Sequence, residues 1–210
     1  MLIDIQRIRQ HLNKPLTGLI HVGAHECEEK DIYQSLGLSS ENHQVMWFEA
    51  DPSTYGKAKS IYPNYDIRHA LLKDKREVTS FLRASNSQSS SIFDLHLHKK
   101  YHPDIEEMFR FPMVSSTLDV ELENTENRNK YNFLSMDTQG SELLILKGAE
   151  KTLDHVDYVY LEVSTEELYR DAPLFGEVDL FLRDKGYGIR ELTITNCNWG
   201  DAFYVKKQLD

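Results

Sequence analysis

The sequence predicts an α/β domain with a mostly parallel central sheet flanked by helices and an antiparallel hairpin at its C-terminus. Three observations support this prediction: short apolar strands alternate with amphipathic helices, glycine follows the first strand, and two strand-like segments close the chain. The 210 residues, 40% of them hydrophobic, are enough to bury one core. No stretch rich in proline or glycine divides the chain, so we expect a single domain over residues 1–210.

Hydrophobic spacing and helix-ending residues place the individual elements. The predicted strands are 19–22, 45–49, 65–72, 131–137 and 158–163, and the predicted helices are an N-terminal helix in 1–17, then 26–36, a short helix opening at Pro52, 141–153 and 175–185. Residues 188–195 and 202–205 flank a turn at Asn198 and predict the closing hairpin. Residues 84–112 begin with clustered serines and histidines, and we expect an irregular insertion there on the substrate side.

Composition argues against several classes of protein. Lys and Arg number 24 against 34 Asp and Glu, a net charge of −10, so we expect no nucleic-acid partner. The longest apolar stretches, such as 45–48 and 143–146, are too short to cross a membrane, and residues 1–13 lack the features of a secretory signal. Cys27 and Cys197 have neither CxxC nor zinc-site spacing, which predicts two free thiols and a reducing, cytoplasmic location.

Acidic residues end three of the predicted strands, at Glu49, Asp137 and Glu162. Because the carboxyl ends of parallel strands meet at one edge of a sheet, we expect these carboxylates to face one crevice. Gly23 would let backbone amides approach a nucleotide-type ligand there, and Glu49 lies near the position that accepts ribose hydroxyls. Purely structural roles are the alternative: a tight turn at Gly23, and capping of the next helix by Asp137 or Ser141.

The sequence also bears on other enzyme features, namely a nicotinamide cofactor, a metal site and aromatic contacts to a sugar. The dinucleotide fingerprint G-x-G-x-x-G and a Y-x-x-x-K pair are both absent, which disfavours a nicotinamide-dependent dehydrogenase or epimerase. His96, His98 and His102 have spacing that a metal site could use, but no matched acidic ligand accompanies them, so we favour a solvated loop or substrate hydrogen bonding. Aromatic residues that could stack on a sugar, although core packing is more common for them, are Tyr101, Phe109, Phe111, Tyr169 and Trp199.

Several segments in order resemble the FkbM-like methyltransferases, a class I S-adenosylmethionine-dependent family. They are HVGAHECEE at 21–29, WFEADP at 47–52, SNSQSSSIFDLHLH at 85–98, STLDVEL at 116–122, FLSMDTQGSELLILKGAE at 133–150 and YLEVS at 160–164. The most specific, MDTQGSELLILKGA, is similar to the family's D-x-Q/E-G-x-E-x-x-x-L-K-G-A block. The resemblance covers roughly residues 18–205 and implies a Rossmann-like class I methyltransferase fold that uses S-adenosyl-L-methionine. We assign no metal ligands.

The resemblance also implies where the cofactor binds. Gly23 would approach its methionine portion, Glu49 its ribose, and Ala70 and Leu71 its adenine. The family usually has an acidic residue where this chain has His21, so we expect either weaker cofactor binding or compensation by another acid, for which Glu26 is the candidate. The implied cofactor contacts are His21, Gly23, Ala24, His25, Glu26, Glu49, Ala50, Asp51, Ala70, Leu71 and Asp137.

The reaction that the resemblance implies is O-methylation of a hydroxyl, and we favour a sugar or glycan acceptor over another small molecule. Asp137 is the first candidate for the base that takes the hydroxyl proton, and His98 and Glu162 are the further catalytic candidates. We expect specificity to come from 84–112, the N-terminal helix and 166–176. The alternative from another class is a non-catalytic Rossmann-like binding module, which the changes at His21 and Cys27 would explain.

Overall fold

The computed structural model describes residues 1–207. Its strands are β1 (Leu19–Val22), β2 (Val45–Glu49), β3 (Asp66–His69), β4 (Leu71–Leu72), β5 (Val78–Ala84), β6 (Glu107–Ser116), β7 (Phe133–Met136), β8 (Tyr158–Ser164), β9 (Tyr187–Ile194) and β10 (Trp199–Lys206). Its α-helices are α1 (Ile5–Gln10), α2 (Lys30–Ser35), α3 (Pro52–Ile61), α4 (His98–Tyr101), α5 (Leu118–Glu121), α6 (Glu142–Lys147), α7 (Glu150–Leu153) and α8 (Phe175–Asp184). Short 3₁₀ turns occupy Ser87–Ser89 and Arg128–Lys130.

The central sheet has seven strands in the order β3-β2-β1-β7-β8-β10-β9. The first five are mutually parallel, β10 pairs antiparallel with β8, and β9 pairs antiparallel with β10. This topology confirms the predicted α/β fold and its C-terminal hairpin. The strand order reverses between β1 and β7, and such a switch point opens a crevice beyond the carboxyl ends of the strands.

Alternating side chains give the sheet two buried faces. On β1, Ile20 and Val22 join the core beneath α6 and α8, whereas Leu19 packs with Trp47 and Tyr33 in the core on the other face. Strands buried on both faces are expected to be apolar throughout, and β1 and β2 are buried at every position. The strands that end next to Gly23 and at Glu49 are therefore packed on both faces.

The region predicted as an irregular insertion, 84–112, contains regular structure. Strand β6 pairs antiparallel with β5 from Val78 opposite Val114 to Ala84 opposite Glu107, and β4 completes a three-stranded sheet. Irregular backbone is confined to the connection between β5 and β6, apart from the turn Ser87–Ser89 and helix α4.

Three other element boundaries differ from the predictions. The predicted strand 65–72 is broken at Ala70 because Leu71 leaves the central sheet to pair with Ser115. The predicted helix 141–153 is divided at Gly148, where an added Cβ would lie 2.1 Å from the Lys73 carbonyl oxygen. The predicted helix 26–36 begins only at Lys30, after a turn. Helix α1 covers six residues of the segment 1–17.

Both cysteines carry free thiols, as predicted. Cys27 is fully buried, and desolvation raises the pKa of its thiol to about 12, so the thiol stays protonated. Across residues 1–207, no helix is long and apolar enough to span a bilayer.

Candidate active site

A cavity of about 440 Å³ opens at the carboxyl ends of the parallel strands, within the ~300–1,000 Å³ usual for small-molecule sites. The lining residues used below fall into two groups. The Glu49 side comprises Val22, Gly23, Glu49, Ala70 and Leu71, and the Glu162 side comprises His98, Gln139, Glu162, Tyr169 and Trp199. Asp137 follows β7, and β1 and β7 separate Glu49 on β2 from Glu162 on β8.

The turn after β1 depends on Gly23. Its φ is +84°, and an added Cβ would lie 1.8 Å from the Asp137 carbonyl oxygen. Its amide donates to the Phe48 carbonyl oxygen at 3.0 Å, as does the amide of Ala24 at 2.9 Å. Only glycine allows the ends of β1 and β7 to approach so closely in this backbone conformation. The position of Asp137 is therefore tied to the Gly23 turn.

Glu49 is held by backbone amides on both sides. Its Oε2 accepts from the His25 amide and its Oε1 from the Asp51 amide, each at 2.7 Å. His25 adopts a left-handed φ of +43°, a strained conformation that orients its amide. Burial raises the pKa of Glu49, while these two amide bonds oppose the shift. The carboxylate keeps free lone pairs that can accept from a pair of ligand hydroxyls.

Beside Glu49 the cavity wall is apolar. Ala70, Leu71, Leu72 and Phe81 line it, and the Ala70 amide donates to the Glu49 carbonyl oxygen at 3.1 Å. Such a surface suits a flat aromatic base next to the ribose position. The predicted adenine contacts thus lie directly beside the predicted ribose contact.

Two carboxylates, Asp137 and Glu162, share one amide donor. Gln139 Nε2 lies 2.8 Å from Asp137 Oδ1 and 3.2 Å from Glu162 Oε1. The Asp137 carboxylate is accessible from the cavity, yet protein surrounds its other sides, and this desolvation raises its pKa to about 7 against the opposing Gln139 hydrogen bond. Burial and the charge of Asp137 raise the pKa of Glu162 well above its usual value. The pair therefore tends to hold a proton near neutral pH.

Tyr169 fixes the orientation of the shared amide. Its hydroxyl lies 2.5 Å from Gln139 Oε1 and 3.2 Å from the Ser89 carbonyl oxygen. Gln139 itself has a left-handed φ of +55°, and its carbonyl accepts from Ser91 Oγ at 2.7 Å. The ring of His98 packs 5.4 Å from that of Tyr169, and burial lowers the pKa of His98 to about 4. His98 is therefore neutral at physiological pH.

Most of the predicted site residues line this cavity. They are Gly23, His25, Glu49, Ala50, Ala70, Leu71, His98, Asp137 and Glu162. Ala24 is buried next to the turn and Asp51 caps α3, both outside the cavity lining. The Glu26 carboxylate is also outside the lining and lies 3.8 Å from Lys57 Nζ.

His21 faces away from the cavity because it is one residue from Val22 on a strand and side chains alternate. Its Nδ1 is 2.6 Å from the Tyr33 hydroxyl, and its ring stacks on Trp47. Burial lowers the pKa of His21, so it is a neutral core residue. Strand parity would have indicated this position from the sequence.

Sequence reasoning gave no role to several residues that line the cavity. Glu28 and Glu29 follow the Gly23 turn, Phe81 comes from β5, Gln139 follows Asp137, and Asp201 lies opposite Glu162 on β10. Of these, Gln139 stood within the most specific motif. The signal for Asp201 was absent, because only the pairing of β8 with β10 brings it to Glu162.

Comparisons with known proteins agree with this geometry. The family model described as Methyltransferase FkbM domain matches residues 21–189, and the chain belongs to this family of S-adenosylmethionine-dependent methyltransferases. No curated protein matches the chain significantly. The cofactor is S-adenosylmethionine, and the chain has the carboxylate, glycine turn and apolar wall suited to hold it.

Solved structures share the fold at low identity. An O-methyltransferase from Bacillus cereus in complex with SAH has a TM-score of 0.54 and 12% identity, covering 99% of this chain and 83% of its own. A Streptococcus pneumoniae protein provisionally assigned to tRNA (m1A22) methylation has a TM-score of 0.50 and 11% identity, covering 100% of this chain and 72% of its own. At 11% and 12% identity, these similarities show a shared fold and nothing about the substrate.

Proposed function

We propose that this methyltransferase methylates a hydroxyl oxygen of a sugar or glycan. The observation that carries the proposal is the Asp137 carboxylate, which is open to the cavity and has a pKa of about 7. A base with such a pKa is suited to accept the proton of an alcohol as its oxygen is methylated. Serine hydroxyls of 87–91 and the rings of Tyr169 and Trp199 line the same cavity, which favours an acceptor with both polar edges and apolar faces.

The chain's own residues divide the work between the two sides of the cavity. Glu49 would hold the ribose, Ala70 and Leu71 the adenine, and the Gly23 turn the methionine portion of the cofactor. When bound, the cofactor supplies an electrophilic methyl group on its sulfonium. Asp137 would accept the hydroxyl proton, while Gln139 keeps the carboxylate oriented by its 2.8 Å hydrogen bond. Orientation of this kind can supply about 7–11 kcal/mol of the barrier.

Methyl transfer from isotope-labelled S-adenosylmethionine tests the proposal. The panel pairs neutral and amine-bearing glycosides with non-sugar alcohols, and NMR of each product identifies the methylated atom. An O-methyl glycoside is the expected product. Methylation of only non-sugar alcohols would contradict the sugar assignment, and methylation at nitrogen would contradict the role of Asp137 as a hydroxyl base.

Calorimetric titration with S-adenosylmethionine and S-adenosylhomocysteine separates catalysis from binding. A non-catalytic module that had lost the site would bind neither ligand. Because His21 and Cys27 lie outside the cavity lining, their departure from the family pattern gives no reason to expect such a loss. We expect both ligands to bind, and NAD serves as the control that should not.

A further inference from the structure

The cavity lining has more acidic than basic groups. Six carboxylates line it and no lysine or arginine among the described residues does, while its other ionisable groups include Met1, His25, His98 and His102. The six are Glu28, Glu29, Glu49, Asp137, Glu162 and Asp201. A cleft with one sign of charge attracts ligands of the opposite sign and repels those of its own.

Three of these carboxylates already have partners in the protein. Glu49 accepts from two backbone amides, Glu28 Oε1 lies 2.5 Å from His25 Nδ1, and Asp201 accepts from the Tyr160 hydroxyl and the Leu2 amide. Asp137 and Glu162, by contrast, have four oxygen atoms between them and share the single Nε2 of Gln139. The remaining lone pairs of these four oxygen atoms are free to accept from a ligand.

His98 is an independent sign that the Glu162 side receives a hydrogen-bond donor. Its side chain lines the cavity, the residue is 6% exposed, and its Nδ1 has no hydrogen-bond partner among residues 1–207. The neutral imidazole leaves one ring nitrogen without a partner in the same cavity and adds no positive charge. Beside Asp137 and Glu162 a phosphate or carboxylate would meet like charge, and burying a charge without a partner is costly.

We propose that the methyl acceptor carries a protonated amine close to its reacting hydroxyl, and no phosphate or carboxylate within the cavity. The amine would lie between Asp137 and Glu162, where it donates to their free oxygens and takes the place of the proton that the pair otherwise holds near neutral pH. This inference rests on the proposed function, because it describes the acceptor of that reaction. It names an aminated polyol, such as an amino sugar, as the substrate class.

Binding to the complex with S-adenosylhomocysteine tests this inference without requiring turnover. The probes are methyl glucoside, its 6-amino-6-deoxy analogue and its 6-phosphate, together with inositol, an aminodeoxyinositol and an inositol phosphate. In at least one scaffold, we expect the amine to bind about tenfold more tightly than the neutral parent, and the phosphate not to bind. Equal or tighter binding of a neutral or phosphorylated probe, or binding of no amine, would overturn the inference.

A pair of matched variants locates the effect. Glu162→Gln removes one carboxylate from the cavity, and Asp184→Asn removes one of the same charge from an exposed position on α8. The preference for the amine should shrink severalfold in Glu162→Gln and persist in Asp184→Asn. An equal preference in both variants would overturn the inference. An amine that binds but is never methylated would contradict the proposed function alone, so the two failures are distinguishable.

Discussion

The two sides of the cavity are built in different ways. On the Glu49 side, the lining residues lie at the ends of β1 and β2, directly after β1 and β3, or at the start of β4. On the Glu162 side, side chains come from β8, α4, β10 and the segments after β7 and β8. The difference indicates that the topology of the sheet determines the positions of the residues on the Glu49 side. On the Glu162 side, individual side chains determine the surface, so substitutions there can change which acceptor binds.

The largest effect is expected from Asp137→Asn, at the boundary between the two sides. Without a carboxylate to take the hydroxyl proton, kcat should fall by at least ~10²-fold. In the unaltered protein, turnover should rise with pH through about 7, because Asp137 acts in its deprotonated form. Affinity for S-adenosylhomocysteine serves as the control and should be retained. Near-normal turnover would exclude Asp137 as the base.

Gly23→Ala should disrupt the Glu49 side through the backbone. Its Cβ would overlap the Asp137 carbonyl oxygen, and the left-handed conformation adds strain, so we expect a loss of about 2–4 kcal/mol in unfolding free energy together with weaker cofactor binding. Gly37→Ala is the matched control, because Gly37 has a φ of +87° and no atom within 4 Å of an added Cβ. Chemical denaturation measures both. Equal losses would show that the contact with Asp137 contributes nothing.

Glu49→Gln should weaken S-adenosylmethionine binding by about 10- to 100-fold, since charge-assisted hydrogen bonds contribute ~1.5–3 kcal/mol. The new amide group would also place an N–H against the amide of His25 or Asp51. Glu26→Gln tests the expectation from the sequence that Glu26 contacts the cofactor. Because the Glu26 carboxylate lies outside the cavity lining, the affinity of this variant for S-adenosylmethionine should not change. Calorimetry on both variants decides between them.

Tyr169→Phe is expected to have the smallest effect, a severalfold loss of kcat from one hydrogen bond of about 1 kcal/mol. Without the hydrogen bond from the Tyr169 hydroxyl to Gln139 Oε1, the Gln139 amide can turn away from Asp137. Losing that donor raises the pKa of Asp137 further, so the rise of rate with pH should move to higher pH. Tyr101→Phe is the control, because Tyr101 binds Asn198 outside the cavity lining. An unmoved pH profile in Tyr169→Phe would contradict the positioning role.

The same contrast explains how much could be predicted from the sequence. The strands, the parallel sheet, and the meeting of Glu49, Asp137 and Glu162 at one edge follow from apolar periodicity and the geometry of parallel strands. His21 lies outside the cavity lining because side chains alternate along β1. Asp201 could not have been found, because it reaches Glu162 through an antiparallel pairing whose register no local signal specifies. Tyr169 was recognised only as an aromatic surface, since its contact with Gln139 depends on tertiary packing.

The acidic pair also bears on folding energetics. In the folded chain Asp137 keeps its proton up to about pH 7, whereas an unfolded chain releases it near the ordinary value of 3.8. Between these values the folded state binds more protons, so the contribution of this group to stability declines as pH rises from about 4 to about 7 and stays low above. The raised pKa that makes Asp137 a suitable base therefore lowers the free energy of unfolding above neutral pH. A cationic ligand that binds only the folded state would raise the free energy of unfolding by mass action, so occupancy of the cavity would offset this loss of stability.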